Sequence, residues 1–418
     1  MEKVVVIGQG YVGLPLSVAA ARENYNVVGF DVDKKKIDSL KSEISFIEDI
    51  TDEDLSEIIG SGKYHPTTDP DDLIDYDIAI ITVPTPLKDA LPDLSFVRDA
   101  ASLAGKYLSK GATVVLESTT YPGTTTEIVV PILEDLSNLA AGKEFYVGFS
   151  PERIDPGNLR FNFKNTPKIV SGINHESLEK IDAFYSSIVD ETFRVSSPNE
   201  AELAKLIENT FRHVNIALVN ELAIYADLLG INVWEAIDAA KTKPFGFMPF
   251  YPGPGVGGHC LPIDPSYLSY KVKLKAGETF KFVELANELN HFMPAYVVKR
   301  ISLGLNKIKK SVNGSKILAI GVSYKPNTSD VRESPAIHVI EQLLELGANV
   351  KVVDPLVKPK GVSLNVDFVD LTLEEAKSSD VIVILSPHDE LDLRIAVESG
   401  TYIFDVRHVT TGKNVEHL

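Results

Sequence analysis

Short apolar runs alternate with helix-like periodicity over the first 150 residues of the chain. The runs predict buried strands at residues 3–7, 26–30, 78–83, 113–117 and 145–149, and the stretch 14–23 has a period of about 3.6 residues. The alternation returns at residue 316, with runs at 316–322, 349–354, 381–385 and 402–405 and a helical stretch at 334–346. Such alternation predicts an α/β fold with two Rossmann-like, doubly wound lobes.

The pattern between these two lobes is helical. Residues 200–230 predict a long helix that stops at Gly230, and residues 282–305 predict another that is interrupted or bent near Pro294. We expect a Rossmann domain at 1–195, a helical middle domain at 196–310 and a second Rossmann-like domain at 311–418. The first long helix carries one apolar stripe, formed by Leu203, Leu206, Ile207, Val214, Leu218, Leu222 and Tyr225.

Net charge and cysteine content limit the classes of binding partner and the cellular compartment that we expect. A formal net charge of −18 argues against a surface for nucleic acid or anionic membrane, although a local site can still be basic. No apolar stretch reaches 18 residues, and the N-terminus has no signal-peptide pattern. The single cysteine excludes an internal disulfide, so we expect a cytoplasmic protein. No metal ion is expected.

A glycine fingerprint follows the first predicted strand. In Gly8-Gln-Gly10-Tyr11-Val12-Gly13, the first glycine allows a tight turn, the second lets a pyrophosphate approach and the third lets helix and strand pack closely. The phosphates would lie at the helix N-terminus. Asp31 ends the second strand, where a carboxylate accepts from a ribose 2′-hydroxyl and repels a 2′-phosphate. NAD is therefore favoured over NADP, while FAD remains possible from this motif alone.

Two further segments lie at the carboxyl ends of predicted strands, where ligands bind in such sheets. Thr85 lies in Val83-Pro-Thr-Pro86, and Ser118 and Thr119 follow Glu117. Thr85 and Ser118 are candidate cofactor ligands. Ordinary turn chemistry is the alternative for both of them.

Cys260 lies in a segment, residues 243–265, that is rich in proline and glycine and predicts an active-site loop. A lone cysteine is more often a small buried hydrophobe. Here the flanking glycines allow a ligand to approach, and a helix start just beyond would lower the thiol pKa. Asp264 is four residues on and would face the same side of a helix.

The helix predicted at residues 200–230 carries polar side chains that could take part in a reaction. Lys205, Asn209 and Arg212 are spaced along two turns of one face. A solvated helix face and a functional stripe explain this spacing equally well.

Several motifs together resemble the UDP-glucose and GDP-mannose dehydrogenase family over essentially the whole chain. Besides the glycine fingerprint they are Val83-Pro-Thr-Pro86, Ser118-Thr119, Ser150-Pro-Glu152, Glu202-Leu-Ala-Lys205 with Asn209, Gly257-Gly-His-Cys260 with Asp264, and Tyr324-Lys325-Pro with Asp330 and Arg332. The resemblance implies that Cys260 is the nucleophile and that the lysine, asparagine and aspartate of these motifs surround the reacting carbon.

The resemblance also implies the reaction. NAD removes a hydride from C6 of a nucleotide sugar, Cys260 adds to the aldehyde, a second oxidation gives a thioester and water hydrolyses it to the uronic acid. Lys205 and Asn209 would stabilise oxyanions. Asp264 and Thr119 would position or deprotonate water, with Glu152 a further acid/base candidate.

Substrate contacts are implied in the same way. The second Rossmann-like lobe would hold the UDP half with Lys325 near the phosphates, and Arg332 would be a cofactor-side cation; a surface salt bridge is the alternative for both. The remaining candidate substrate residues are Glu152, Arg153, Lys205, Asn209, Arg212 and Gly257. A homodimer built on the middle helix is also expected.

The sugar is indicated by two segments. Gly253 to Cys260 is similar to the branch that acts on UDP-N-acetylhexosamines, and Arg153-x-Asp155-Pro-Gly157-Asn158 to its UDP-N-acetylglucosamine 6-dehydrogenases. Ile263 stands where UDP-glucose enzymes usually carry a lysine, which weakens that assignment. UDP-N-acetylmannosamine is the close alternative.

Two other classes of protein stay open. A non-catalytic nucleotide-sugar sensor on this fold would not need a cysteine, a lysine and an aspartate together. A one-step alcohol dehydrogenase would lack the nucleophilic cysteine. The number of NADH formed per sugar separates the three classes. It is two for the dehydrogenase with a covalent intermediate, zero for the sensor and one for the one-step alcohol dehydrogenase.

Overall fold

A computed structural model describes residues 2–47, 49–88, 91–154, 160–258 and 260–418 of the chain; at Cys260 it describes the backbone only. The chain divides into two compact units. The first comprises residues 1–208 and 266–277, and the second residues 209–265 and 278–418.

The first unit contains a six-stranded parallel sheet with helices along the chain between its strands. Its elements are β1 (Lys3–Ile7), α1 (Gly13–Arg22), β2 (Asn26–Phe30), α2 (Lys34–Lys41), α3 (Asp52–Gly60), β3 (Tyr64–Thr67), β4 (Ile78–Ile81), the short β5 (Leu87–Lys88) and β6 (Leu91–Pro92), α4 (Ser95–Lys106), β7 (Thr113–Leu116), a π-helical turn (Thr125–Val129), α5 (Val130–Ser137), β8 (Tyr146–Phe149), β9 (Lys168–Val170), α6 (His175–Ile188) and β10 (Thr192–Arg194).

The strand order of this sheet is β3-β2-β1-β4-β7-β8. It is the order of a dinucleotide-binding fold, in which the chain changes direction across the sheet between β1 and β4. The central strands are apolar at nearly every position because both faces of the sheet are covered. β9 and β10 pair in parallel as a separate two-stranded sheet. The doubly wound lobe predicted from the apolar runs is confirmed.

Helices dominate the middle of the chain. They are α7 (Pro198–Leu229), α8 (Val233–Ala240), α9 (Cys260–Ala276) and α10 (Lys281–Lys307). The boundary between the two units falls within α7 and again within α9. Gly230 follows α7 with φ +69°, which is the left-handed conformation that ends helices and that glycine adopts at little cost.

Two details of this middle region differ from expectation. The helix predicted to be interrupted or bent near Pro294 is not interrupted, since α10 runs through this proline without a break. The predicted loop 243–265 ends earlier, because α9 begins at Cys260 itself and includes Pro262 and Pro265. A proline in the first turn of a helix removes no helical hydrogen bond, which is why Pro262 is compatible with this earlier start.

The second unit contains another six-stranded parallel sheet, with the order β13-β12-β11-β14-β15-β16. Its elements are β11 (Lys316–Ile320), α11 (Pro335–Glu345), β12 (Asn349–Val353), β13 (Asp367–Phe368), α12 (Leu373–Ser378), β14 (Val381–Ile384), α13 (Arg394–Glu398), β15 (Tyr402–Asp405) and β16 (Val415–His417). This order repeats that of the first sheet, so the second doubly wound lobe is confirmed as well. Separate buried clusters cover the two faces of the sheet.

The apolar stripe of α7 is only partly core. Leu206 is fully buried, whereas Ile207, Leu218, Leu222 and Tyr225 are each about half exposed. No helix in the described part of the chain combines the length and the apolar composition that a bilayer crossing requires.

Candidate active site

The glycine turn after β1 has the geometry that its motif predicts. Gly8 has φ +105°, and a Cβ placed there would lie 2.9 Å from the carbonyl oxygen of Thr82. A Cβ at Gly13 would lie only 1.9 Å from the Gly8 carbonyl oxygen. A Cβ at Gly10, in contrast, would meet no described atom within 4 Å. Gly8 and Gly13 are therefore required by packing, and Gly10 borders open space that a phosphate can occupy.

The start of α1 leaves room for an anion. Val12 occupies the N-cap position, and no described side chain caps this end of the helix. Tyr11 and Val12 are both partly exposed. Uncapped N–H groups and the helix dipole favour a negative charge at this point, next to the open space at Gly10. The turn thus fits the pyrophosphate of a dinucleotide.

Asp31 follows β2 and lies against the glycine turn. Its carboxylate accepts hydrogen bonds from the backbone N–H of Gln9 and of Asp33, each at 2.9 Å. The ammonium of Lys36 is 3.2 Å from Asp31 Oδ2. Sequence reasoning did not identify Lys36, although its place in the next helix turn is a usable signal. A carboxylate held beside this turn fits the adenosine ribose of NAD.

We expect Asp31→Ser to lower kcat/KM with NAD and to narrow the preference for NAD over NADP about tenfold. The reason is that the variant removes the repulsion of a 2′-phosphate, and about 1.4 kcal/mol corresponds to a factor of ten. Initial rates with each cofactor measure the effect. Lys36→Met is the matched control and should widen the preference, because it removes the cation nearest to Asp31. An unchanged ratio in Asp31→Ser would show that Asp31 does not contact the ribose.

Thr85, Ser118 and Thr119 lie just after β4 and β7, at the carboxyl edge of the first sheet. Ser118 Oγ donates to the Val83 carbonyl oxygen at 2.7 Å, and Tyr267 Oη donates to that of Thr85 at the same distance. Ser118 therefore supports the backbone after β4, whereas the bond to Thr85 involves only its backbone carbonyl. Thr119 is the more accessible of the three.

Glu152 and Arg153 follow β8 at the same edge. Glu152 Oε1 accepts from the backbone N–H of Arg153 and Ile154, both at 2.6 Å. The Arg153 guanidinium forms an ion pair with Glu208 of α7 at 2.7 Å. The rest of this motif, Asp155, Gly157 and Asn158, lies outside the described residues.

Lys205 is buried in α7, with 8% of its surface exposed. No described residue forms an ion pair or hydrogen bond with its ammonium. The solvated-face explanation of the polar stripe is therefore wrong for this residue, whereas Arg212 is exposed. A buried ammonium without a partner is costly, because charges removed from water need compensation. Such a group is typical of a site that binds or stabilises an anion.

Glu202, one turn before Lys205, fastens α7 to the segment that follows β7. Its carboxylate accepts from the backbone N–H of Gly123 at 2.6 Å and from the N–H and hydroxyl of Thr125 at 2.9 and 2.7 Å. Burial raises the pKa of Glu202 to about 7 against these hydrogen bonds. The sequence showed Glu202 only as part of a motif, and its partners are more than 70 positions away.

Asn209 and Asp264 meet in the second unit. Asn209 Nδ2 donates to Asp264 Oδ2 at 2.5 Å, and Asp264 is 2% exposed. Cys260 begins α9, so its backbone lies one helical turn before Asp264. Its side chain, and His259 before it, lie outside the described residues. Two residues separated by 55 positions are thus brought together beside the helix start that carries the cysteine.

The loop before Cys260 packs tightly on the segment after β11. A Cβ at Gly257 would lie 2.5 Å from the Glu333 carbonyl oxygen, and the Gly258 N–H donates to the Arg332 carbonyl oxygen at 2.9 Å. The Arg332 guanidinium itself pairs with Asp330 at 2.6 Å. The Lys325 ammonium lies 5.7 Å from the centre of the Tyr324 ring. Glycine at 257 is thus required by packing, whatever else it contacts.

Arg407 is a further cation that sequence reasoning missed. It follows β15, its Nε donates to the Leu385 carbonyl oxygen at 2.9 Å, and its guanidinium borders Gly253. Burial lowers the pKa of Arg407 to about 10. It lies at the carboxyl edge of the second sheet, where ligands bind in this type of fold. Within the described residues, no cluster of histidine, cysteine, aspartate and glutamate side chains is suited to hold a metal ion.

Three family domains match the chain in order. They are the NAD-binding domain, the central domain and the UDP-binding domain of the UDP-glucose/GDP-mannose dehydrogenase family, at residues 2–189, 199–291 and 318–412.

Individual relatives agree with these matches. UDP-N-acetyl-D-glucosamine 6-dehydrogenase from Pseudomonas aeruginosa is 37% identical, over 93% of this chain and 91% of its own. UDP-N-acetyl-D-mannosamine dehydrogenase from Pyrococcus horikoshii is 36% identical, over 93% and 90%. A solved structure of the UDP-D-ManNAc dehydrogenase from Pyrococcus horikoshii superposes with a TM-score of 0.89 at 33% identity, covering 99% of this chain and 98% of that one.

Proposed function

Because this chain belongs to the UDP-glucose/GDP-mannose dehydrogenase family, we propose that it oxidises C6 of UDP-N-acetylglucosamine to the uronic acid in two NAD-dependent steps. It is an NAD-dependent oxidoreductase with a UDP-binding domain. The observation that carries the proposal is the pair Asn209 and Asp264 beside the start of α9, which begins at Cys260. We assign residues 1–195 to NAD binding, 196–310 to the helical middle domain and 311–418 to UDP binding.

The residues around the glycine turn fit NAD. Gly8, Gly10 and Gly13 shape the turn, Tyr11 and Val12 supply backbone N–H groups, and Asp31 accepts from the ribose. Thr85, Ser118 and Arg332 are the further proposed contacts. When bound, NAD supplies a hydride acceptor at each of the two oxidations.

Cys260 carries the covalent chemistry. Its thiolate adds to C6 of the aldehyde and gives a thiohemiacetal, whose oxidation leaves a thioester on the same sulfur. Water then attacks the thioester carbonyl, the C–S bond breaks and the thiolate is restored as the uronic acid forms. A helix N-terminus favours a thiolate, and α9 begins at this residue. Covalent retention of the aldehyde explains how one site performs both oxidations.

Lys205 and Asn209 stabilise negative charge on the C6 oxygen. The buried ammonium of Lys205 is oriented by α7 without a protein counter-ion in the described residues, so its charge remains for the substrate. Asn209 is held by Asp264, which leaves the asparagine side chain in one orientation. Asp264 and Thr119 are the groups that we propose to position or deprotonate water, with Glu152 as a further acid/base group.

The nucleotide half of the substrate needs cations and close backbone approach. We assign this role to Arg153, Arg212, Lys325 and the loop at Gly257, and add Arg407 because of its place beside Gly253. Arginine suits phosphate and planar groups through its forked donors. Glu152, Lys205 and Asn209 complete the proposed contacts on the sugar side.

The sugar is tested by rates on a panel of UDP-sugars. At equal subsaturating concentration we expect the fastest turnover with UDP-N-acetylglucosamine, followed by UDP-N-acetylmannosamine and then UDP-glucose, and two NADH per sugar oxidised. The identities of 37% and 36% to the two N-acetylhexosamine enzymes do not separate the epimers. Faster turnover on another sugar would overturn the choice of substrate, and one NADH per sugar would overturn the covalent mechanism.

We propose that two chains form a homodimer through α7. The exposed apolar side chains of this helix form a surface that water solvates poorly; they include Ile207, Leu218, Leu222, Tyr225 and Leu228. Light scattering should then give a molar mass of twice the 45.7 kDa of one chain. Leu222→Glu should lower the measured mass toward that of one chain. A wild-type mass of one chain would contradict the dimer.

We propose a cytoplasmic location, with no nucleic-acid or membrane partner. One cysteine used as a thiolate suits a reducing compartment, and a net charge of −18 opposes binding to polyanions. Fractionation of cells that express the chain tests the location, and recovery outside the cytoplasm would contradict it.

A further inference from the structure

Four side chains meet behind Glu152 and form what we term the Lys168 cluster: Glu117, Glu152, Lys168 and Tyr185. They come from four separate segments, since Glu117 follows β7, Glu152 follows β8, Lys168 begins β9 and Tyr185 lies in α6. Lys168 Nζ is 3.0 Å from Glu117 Oε2 and 3.2 Å from Glu152 Oε2. The ammonium of Lys168 thus forms ion pairs with two carboxylates.

The two carboxylates differ in their access to solvent. The side chains of Glu117 and Lys168 are 0% and 4% exposed, and that of Glu152 is 12% exposed. A buried ion pair contributes little net stability, because desolvation offsets most of the attraction. Stability alone therefore does not explain why Lys168 also contacts Glu152, the one member of the cluster to which we assign a part in the reaction.

Three hydrogen bonds hold the carboxylate of Glu152 in place. Oε1 accepts from the N–H groups of Arg153 and Ile154, while Oε2 faces Lys168. Donors to both oxygens fix the plane of the carboxylate. Of these donors only Lys168 carries a charge, so it is the strongest single contact that orients Glu152.

Glu117 holds Lys168 in place beside Glu152. Burial raises the pKa of Glu117 to about 7, against the attraction of Lys168 and the hydrogen bond from Tyr185. Burial opposes the charge on Lys168, but Glu117 and Glu152 together outweigh it and raise the pKa of Lys168. Lys168 is therefore a buried cation between two carboxylates. The groups that face Lys168 are Glu117, Glu152 and Tyr185, with the ring of Phe163 at 5.5 Å.

We propose that Lys168 and Glu117 are positioning residues for the reaction: Lys168 orients the carboxylate of Glu152, and Glu117 fixes Lys168 in place through their buried ion pair. The proposal rests on the role proposed above for Glu152 as an acid/base group.

The test is kcat with UDP-N-acetylglucosamine and NAD at pH 7. An acid/base group works only within hydrogen-bond reach of the proton that it transfers, so loss of the cation that orients Glu152 should slow that step. We expect Lys168→Gln to lower kcat about tenfold or more, with KM for NAD nearly unchanged. Lys168→Arg keeps the charge and should restore most of kcat. Glu117→Gln should lower kcat less than Lys168→Gln does, because Lys168 then keeps its contact with Glu152.

Lys168→Gln leaves Glu117 buried without its cation and can unfold the domain. The double variant Glu117→Gln/Lys168→Gln avoids this by replacing the ion pair with two neutral amides. It should melt near the wild-type temperature and still show the lowered kcat. Lys110→Gln is the control, because it removes an exposed lysine 3.5 Å from Glu144. It should leave kcat and the melting temperature unchanged.

Glu152→Gln separates the two proposals. Near wild-type kcat in this variant would remove the proposed role of Glu152, and with it the reason for the cluster. If Glu152→Gln is inactive while the folded double variant and Glu117→Gln keep the wild-type kcat, the positioning role of Lys168 and Glu117 is overturned and the proposed function stands.

Discussion

Cys260→Ala should bind the UDP-sugar and NAD and yet form almost no uronic acid, with a loss of rate on the order of 10³-fold or more. The reason is that the aldehyde has no sulfur to add to, so the second oxidation and the hydrolysis lose their covalent intermediate. A trace of free aldehyde from the first oxidation is the expected product. Chromatography of the products, together with NADH counted per sugar, measures the effect.

Cys260→Ser distinguishes a nucleophile from a packing residue. Serine has nearly the size of cysteine, but its hydroxyl is far less acidic and its ester hydrolyses more slowly than a thioester. Intact-protein mass spectrometry after incubation with UDP-sugar and NAD should therefore show an added UDP-sugar acyl mass. The wild-type chain should lose activity to iodoacetamide, and UDP-sugar should protect it. Uronic acid formed by Cys260→Ala at near wild-type rate, with two NADH per sugar, would contradict the covalent mechanism.

Lys205→Met should lower kcat by about 10² to 10³, which is the usual cost of removing one donor to a developing oxyanion. Methionine keeps the length of the side chain and removes its charge. Because no described residue pairs with the Lys205 ammonium, its removal relieves a desolvation cost and should leave the melting temperature unchanged or raise it. Steady-state kinetics and thermal melts on the same preparation give both quantities.

Lys299→Met is the matched control, since Lys299 is an exposed lysine on α10. It should leave both kcat and the melting temperature unchanged. A structural role for Lys205 predicts the opposite combination, in which the melting temperature falls by several degrees and kcat of the folded protein stays within about threefold of wild type.

The fold was predictable because its signals are local. The continuous apolar runs of β1, β2, β11 and β15 gave strand boundaries that agree with the structure to within two residues. The short edge strands were missed: β3 contains a proline and a histidine, and β13 has only two residues. Such strands carry little periodicity, so only their pairing with a neighbour reveals them.

The candidate site was predictable to the level of motifs. The residues around Gly8 and Cys260 could be read from the sequence, because glycine, proline and cysteine restrict the local backbone and chemistry. The spacing of Lys205, Asn209 and Arg212 left a solvated face and a functional stripe equally supported. Burial distinguishes the two explanations for each residue, since Lys205 is buried and Arg212 is exposed.

The sequence by itself determined two doubly wound lobes, a glycine turn for NAD and a cysteine at a glycine-rich loop, because each depends on residues close together along the chain. Only the tertiary structure decided which charges meet. Lys168 and Glu117 are 51 positions apart, and Asn209 and Asp264 are 55 apart. Ion pairs and hydrogen bonds act over a few ångströms. Such residues therefore interact only after strand order and helix packing have brought them together.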